Sequence, residues 1–303
     1  MFKAYAGNYD LTDPKILLKY IHTEKVADNS ERIARSLGLP EEDVELAWQI
    51  GVLHDIGRFE QLRRYDTFND AESINHAEFG ADLLFRENLI ESFLERTTET
   101  LTKRMQSETG STTEEIFEKR MQSETDRISD EANGNRADSS SYKRSAKACE
   151  VCSGMKEKLS LAEIAIRCHN RYRLPEGLTE REALFCNIIR DADKADIFRA
   201  NYETGMDAIY NVTMKELKES EITPEVYSAF MEGHAVLRSL KKTPIDHLVG
   251  HLALAFEFVF PETGKITMEQ GFLCKLSEFH SENEDTERKL KQIRYRLKQE
   301  CVL

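Results

Sequence analysis

Trp48-Gln49-Ile50-Gly51-Val52-Leu53-His54-Asp55-Ile56-Gly57-Arg58 is an apolar helical run that ends in an adjacent His-Asp pair, followed by a glycine and an arginine. Successive helical residues point about 100° apart, so His54 and Asp55 face different directions unless something at the helix end collects both. A cation would do so, with one bond to nitrogen and another to oxygen. A lone His-Asp dipeptide carries little weight. This one has company: His22 stands upstream in a His-Thr-Glu-Lys-Val context, and His76, His169 and Asp191-Ala192-Asp193-Lys194 stand downstream. A spaced set of His and Asp on apolar helical segments points to a metal site. Imidazole nitrogen with carboxylate oxygen suits a borderline divalent cation such as Mn, Fe, Zn or Ni.

Working outward, Gly38 suits a helix C-terminus and Pro40 the first turn of the next helix. Glu41, Glu42 and Asp43 then place negative charge at that helix's positive end. Its expected apolar face is Val44, Ala47, Trp48, Gly51 and Val52, with Gly51 permitting a close backbone approach. Upstream, residues 13–22 predict a short helix leading to His22, and Val26, Ile33 and Leu37 a second one. Downstream, the polar and aromatic residues 59–75 read as a loop over the site. A new helix is expected near Ser73-Ile74-Asn75-His76. Residues 159–168 predict a helix ending at Cys168-His169. Thr179 and Glu182 have the spacing of a capping box. The helix they open carries Leu184, Phe185, Ile188, Ile189, Ala192 and Ala195, interrupted by Asp191, Asp193 and Asp196. A carboxylate on such a buried helix is expensive unless a cation or donor pairs it. Further helical spacing follows from residue 201, including an apolar helix from His247 to Phe258 and a charged one from Glu282 to Cys301 with a Leu290, Ile293, Leu297 stripe. Strand signals are few, so the fold class is all-α.

The ordered set His22, His54-Asp55 and an Asp before Lys194 resembles the HD-domain superfamily of metal-dependent phosphohydrolases, whose H…HD…D pattern these positions would fill. The resemblance implies a helical bundle, with His22, His54, Asp55 and Asp193 as ligands of a divalent metal ion (Mn, Fe, Zn, Ni or Mg), and Asp191 as the fallback for the distal position. His54-Asp55-Ile56-Gly57-Arg58 followed by Asn75-His76-Ala77-Glu78-Phe79-Gly80-Ala81 also resembles the cyclic-dinucleotide branch. That branch carries HHE and GYP signatures further on. Here the stretch reads Cys168-His169-Asn170-Arg171-Tyr172-Arg173-Leu174-Pro175, with one histidine of the two and no Gly-Tyr-Pro. By that likeness His76 and His169 would complete a second metal or bind phosphate, and Arg58 would stand near phosphate. Arg171 and Arg173 are further candidates for a phosphate clamp. His234, His247, His251 and His280 fit no motif and read as structural.

The implied activity is hydrolysis of a phosphate monoester, nucleotide or phosphodiester by metal-activated water, with Asp55, Arg58, His76 and His169 as catalytic residues and one ion or two. Two alternatives stay open: a non-catalytic metal- or nucleotide-binding regulator, and a di-iron HD-type oxygenase. The 303 residues and 40% hydrophobic content allow a sizeable core, read as a single domain over 1–303 with the helices of 201–303 completing the bundle. Residues 97–160 read as a polar, partly disordered insertion, in which Lys103-Arg104-Met105-Gln106-Ser107-Glu108-Thr109 recurs as residues 119–125. The net charge of -13 argues against binding a nucleic-acid duplex but not against a small phosphorylated or nucleotide substrate, since a metal supplies positive charge locally. No run has the apolar length of a membrane span. The six scattered cysteines and the absence of a secretion signal at the N-terminus predict a cytoplasmic location. Homo-oligomerisation is left open.

Overall fold

In the computed structural model, residues 2–87, 89–90, 154 and 156–300 are described, and every regular element among them is helical. The chain divides into two compact units, one of residues 2–83 and 161–303, the other of Met1 and residues 84–160. All site residues belong to the first. The insertion expected over 97–160, with its repeat and Cys149-Glu150-Val151-Cys152, lies outside the described residues except for Gly154 and 156–160, which are helical.

The helices in chain order are α1 (Phe2–Ala6), α2 (Pro14–Ser36), α3 (Glu41–Leu53), α4 (Ile56–Tyr65), α5 (His76–Ala81), α6 (156–168), α7 (Glu180–Thr204), α8 (Met206–Tyr210), α9 (Met214–Glu219), α10 (Pro224–Met231), α11 (Pro244–Leu252), α12 (Pro261–Gln270), α13 (Phe272–Ser277) and α14 (Glu284–Gln299). Two expectations about the site helices are corrected. The two helices expected over 13–37 are one: Asp13 caps the backbone N–H of Lys15, Pro14 opens the first turn, and no glycine or proline interrupts the chain before Gly38. His22 therefore stands mid-helix, where its position is rigid. The loop expected over 59–75 begins only at Asp66, whose left-handed φ of 50° ends α4. Ile56, Phe59 and Leu62 recur at helical spacing and are buried, a signal masked by the polar residues between and after them. Trp48 is also 40% exposed, on the flank of α3 rather than its buried face.

Helices α2, α3 and α7 hold the site. Helix α3 meets α2 where Gly51 faces Ala27; a Cβ on Gly51 would stand 2.6 Å from the Ala27 Cα. Asn29 of α2 donates to the Ala192 carbonyl of α7 at 3.3 Å. Arg181, near the start of α7, forms a two-pronged ion pair with Asp43 at the start of α3, at 2.9 and 2.7 Å. The capping box of Thr179 and Glu182 is present. Beyond the site, the distal part of α7 packs Phe198 into a second core with residues such as Val226, Phe230, Leu248 and Ile293. The stripe Leu290, Ile293, Leu297 of α14 is buried in it, while the expected helix over 247–258 ends at Leu252 and continues as a 3₁₀ turn over Ala253–Glu257.

At the N-terminus, Phe2, Tyr5 and Tyr9 surround the ring of Phe59 at centroid distances of 5.8, 5.8 and 5.3 Å. The Tyr9 hydroxyl donates to Glu60 at 2.7 Å. These contacts back the helix that begins at Ile56.

Because the nearest neighbours at Gly51 are backbone atoms of Ala27, Gly51→Ala should destabilise the protein by about 1–3 kcal/mol. A denaturant titration showing an unchanged midpoint would contradict this account of the α2–α3 contact.

Candidate metal centre

The His-Asp pair sits at a junction between helices. Helix α3 closes at Leu53 with His54 as its C-cap, and Asp55 (φ −105°, ψ 17°) is the N-cap of α4. This break turns both side chains to one point. His22 arrives from α2 and Asp193 from α7. The His22 Nε2 stands 3.0 Å from Asp193 Oδ1, and His54 Nε2 3.9 Å from the same oxygen. His76, first residue of α5, and His169, just past α6, close the other side. Their Nε2 atoms approach to 3.0 Å.

Asp55 lies between the two pairs of rings. Its Oδ2 faces His22 Nε2 at 3.7 Å and His54 Nε2 at 3.6 Å. Its Oδ1 faces His76 Nε2 at 3.4 Å and His169 Nε2 at 3.7 Å. One carboxylate thus presents an oxygen to each side. His22, His54 and Asp193 offer donor atoms close enough together to hold an ion, and so do His54, Asp55 and His169.

The hydrogen bonds behind the rings settle which nitrogen is free. The Nδ1 of His54 lies 2.7 Å from the Gly51 carbonyl, and that of His169 2.7 Å from the Ile166 carbonyl. A carbonyl only accepts, so both nitrogens carry hydrogen and both Nε2 atoms keep a lone pair in the neutral ring. The Nδ1 of His22 donates to Asp196 Oδ2 at 2.7 Å, and that of His76 to Asp70 Oδ2 at 2.8 Å. All four Nε2 atoms point inward. Two of them, on His22 and His54, are buried without a hydrogen-bond partner. Converging lone pairs and two carboxylates repel one another without a proton or a cation among them, so the donor set fits a divalent ion.

The remaining charges hold this arrangement. Burial would push Asp55 up, but the Lys19 ammonium, 2.7 Å from its Oδ2, and the surrounding imidazoles hold it well below the usual carboxylate range. Burial likewise opposes ionisation of Asp193, and the nearby His22, its Nε2 3.0 Å from Oδ1, outweighs it. Burial pulls His54 down to about 4. Burial and then Arg58 pull His76 down to about 3, so both rings are neutral at ordinary pH. His22 runs the other way: burial and Lys19 pull it down, but Asp193 and Asp196 prevail and raise it. Its two carboxylate neighbours favour a proton on this ring.

Arg58 is neither on the surface nor open. It is 8% exposed, and its Nη1 reaches Gln61, the Phe68 carbonyl and Asp70 at 2.6, 2.8 and 2.9 Å. It clasps the 66–75 segment and thereby orients Asp70 behind His76. Asp191 lies outside the cluster. Its Oδ2 accepts from the backbone N–H groups of Val259 and Phe260 and from the Thr263 hydroxyl, which fixes the start of α12. Arg171 pairs with Glu78 at 2.9 Å and Arg173 with Glu257 at 2.7 Å, both exposed and committed to carboxylates. Sequence reasoning passed over Lys19, Asp70 and the role of Asp196, which also pairs with Arg199 at 2.7 Å. Lys19 stands three residues before His22 on one helix face, a spacing that could have exposed it. Asp70 carries no such signal, because a loop side chain is placed by its tertiary contacts.

The HD domain family matches residues 20–201, more than half of the chain. The chain therefore belongs to the HD superfamily of metal-dependent phosphohydrolases. Comparison with curated proteins and with solved structures produced no match. No helix among the described residues is long and apolar enough to cross a membrane.

Two outcomes are expected. Asp196→Asn removes the charge that orients His22 and should weaken divalent-ion affinity by about 10–100-fold; ion affinity equal to wild type, measured by competition with a chelating dye, would refute the role given to Asp196. An incoming ion must also compete with a proton at His22, whose affinity for one is raised by Asp193 and Asp196. Affinity should therefore fall as pH is lowered, with proton release on loading, read by calorimetry in buffers of different ionisation enthalpy.

Proposed function

We propose that the protein is a phosphohydrolase that cleaves a small phosphate ester at a two-ion centre. The observation that carries this reading is Asp55, whose two oxygens each face a different pair of imidazoles. His22, His54 and Asp193 with Asp55 would hold one ion; His76 and His169 with Asp55 would hold a second. Divalent ions there would polarise the phosphoryl oxygens and acidify a water molecule at neutral pH.

The chain's own groups do the rest. Lys19 neutralises Asp55 from the α2 side, so the carboxylate remains ionised although it is only 2% exposed. Arg58 adds a second cation 3.6 Å from Asp55 Oδ1, and its Nε is buried without a hydrogen bond. Asp196 and Asp70 fix the ring planes of His22 and His76, and two backbone carbonyls fix those of His54 and His169. Four imidazoles are therefore set before a substrate arrives, and little reorganisation is needed as negative charge develops on phosphorus oxygens.

The test is hydrolysis of p-nitrophenyl phosphate by ion-loaded protein. Asp55→Asn keeps the shape of the side chain but removes its charge. It should lower turnover by more than the roughly 10–100-fold expected for a residue that merely supports a ligand. Wild-type turnover in Asp55→Asn, or no turnover in the wild type with Mn, Fe, Zn, Ni or Mg, would refute the reading.

A further inference from the structure

A second group of charged and aromatic side chains stands beside the centre and has no part in holding an ion. Tyr210, the last residue of α8, stacks on His247 with ring centroids 4.0 Å apart. Its hydroxyl pairs with His251 Nε2 at 2.8 Å. His247, Gly250 and His251 occupy positions i, i+3 and i+4 of α11, one face of the helix. The Lys241 side chain lies across that face: a Cβ on Gly250 would collide with the Lys241 Cε and Nζ. Arg238, in the 3₁₀ turn just before, reaches Asp70 Oδ2 at 3.7 Å. Asp70 is the carboxylate behind His76, so this basic face borders the ion cluster directly.

The carboxylates near this group are engaged elsewhere. Lys241 Nζ has no hydrogen bond or ion pair among the described residues, and His251 Nδ1 is buried with no partner. Asp246 is the carboxylate on the same helix, but its oxygens already accept from Thr223 N–H and hydroxyl and from the N–H groups of Lys242 and Thr243. Asp70 is shared with His76, Arg58, Gln61 and Asn170. Lys241 has no ion pair of its own among the described residues, and the carboxylate that Arg238 reaches is shared with four other groups, which leaves room for an anion. The strain of the arrangement is visible in its acidities. Burial and then Arg238 pull Lys241 down to about 8, and burial and then Lys241 pull His247 down to about 4. A metal is the wrong occupant here: His251 Nε2 is engaged by Tyr210, and the neighbours are cationic.

We propose that Arg238, Lys241, His247 and His251 form a seat for a second phosphate, so that the substrate carries two phosphate groups, one placed at the ion cluster and one held here. This rests on the hydrolase reading given above. A guanidinium offers paired donors to phosphate oxygens and an ammonium offers a point charge, a combination that favours a dianionic phosphate over a neutral hydroxyl. The Tyr210 ring fixes His247 and gives the seat a flat wall. The seat would select bisphosphorylated small molecules over simple monoesters by binding rather than by chemistry.

The experiment uses inorganic phosphate as the probe and the full chain, both ion-loaded and after chelation. Modification of Lys241 by an amine-acylating reagent is followed by peptide mass spectrometry, with the exposed Lys291 and Lys298 as internal references. Only anion-free protein reacts, so phosphate at roughly ten times its dissociation constant should slow Lys241 modification about tenfold against chloride at equal ionic strength. The effect should persist after chelation and disappear in Arg238→Gln, a substitution at a side chain 61% exposed. Equal rates in phosphate and chloride would overturn the seat. So would protection that vanishes on chelation or survives in Arg238→Gln, since the anion would then be bound at the ion cluster. A wild type that shows this protection but never turns over p-nitrophenyl phosphate would refute the hydrolase reading and leave the anion seat standing.

Discussion

The structure depends on one constraint: four imidazole rings, each anchored through Nδ1, aim their other nitrogen at the carboxylate of Asp55. Two anchors are backbone carbonyls three residues back along the chain, at Gly51 and Ile166, so these rings are set by the helix ends that carry them. The other two are carboxylates, Asp196 and Asp70, that come from elsewhere. Each anchor removes a freedom of the ring and increases the mutual repulsion at the centre. The fold holds these groups together because α2, α3 and α7 pack through small residues and a buried polar seam.

That packing explains the division of labour among the helices. Rigid mid-helix positions supply His22 and Asp193, whereas helix junctions supply His54, Asp55, His76 and His169. Mid-helix groups fix the spacing between elements. Junction groups can be turned toward a point that no continuous helix face would reach, which is how neighbouring residues 54 and 55 serve the same centre. The aspartates of α7 divide similarly: Asp193 faces the cluster, Asp196 steadies a ring, and Asp191 pins the start of α12.

The legible part of this architecture was the part written in local patterns. Apolar periodicity marked the all-α class, the capping box marked the start of α7, and the ordered His22, His54-Asp55 and Asp193 stood out because polar residues on buried helices demand partners. Where the reading went astray, local composition competed with tertiary packing. Arg63 and Arg64 made most of α4 look like a loop, yet its buried face was Ile56, Phe59 and Leu62. Trp48 looked like core and lies at the surface. Arg58, expected near phosphate, also clasps the 66–75 segment, a contact that no local pattern announces. The polar partners Lys19 and Asp70 could not be ranked from composition, because their meaning comes from distances across 36 and six residues of chain.

The aromatic collar at the N-terminus has a practical corollary. Phe2, Tyr5 and Tyr9 press on Phe59, one turn into the helix whose cap is Asp55. Trimming those first residues, or fusing a bulky leader to them, would loosen the backing of the His-Asp cluster from behind while leaving every side chain of the cluster in place. Preparations that differ only in their leading residues are therefore not interchangeable when rates or ion contents are compared.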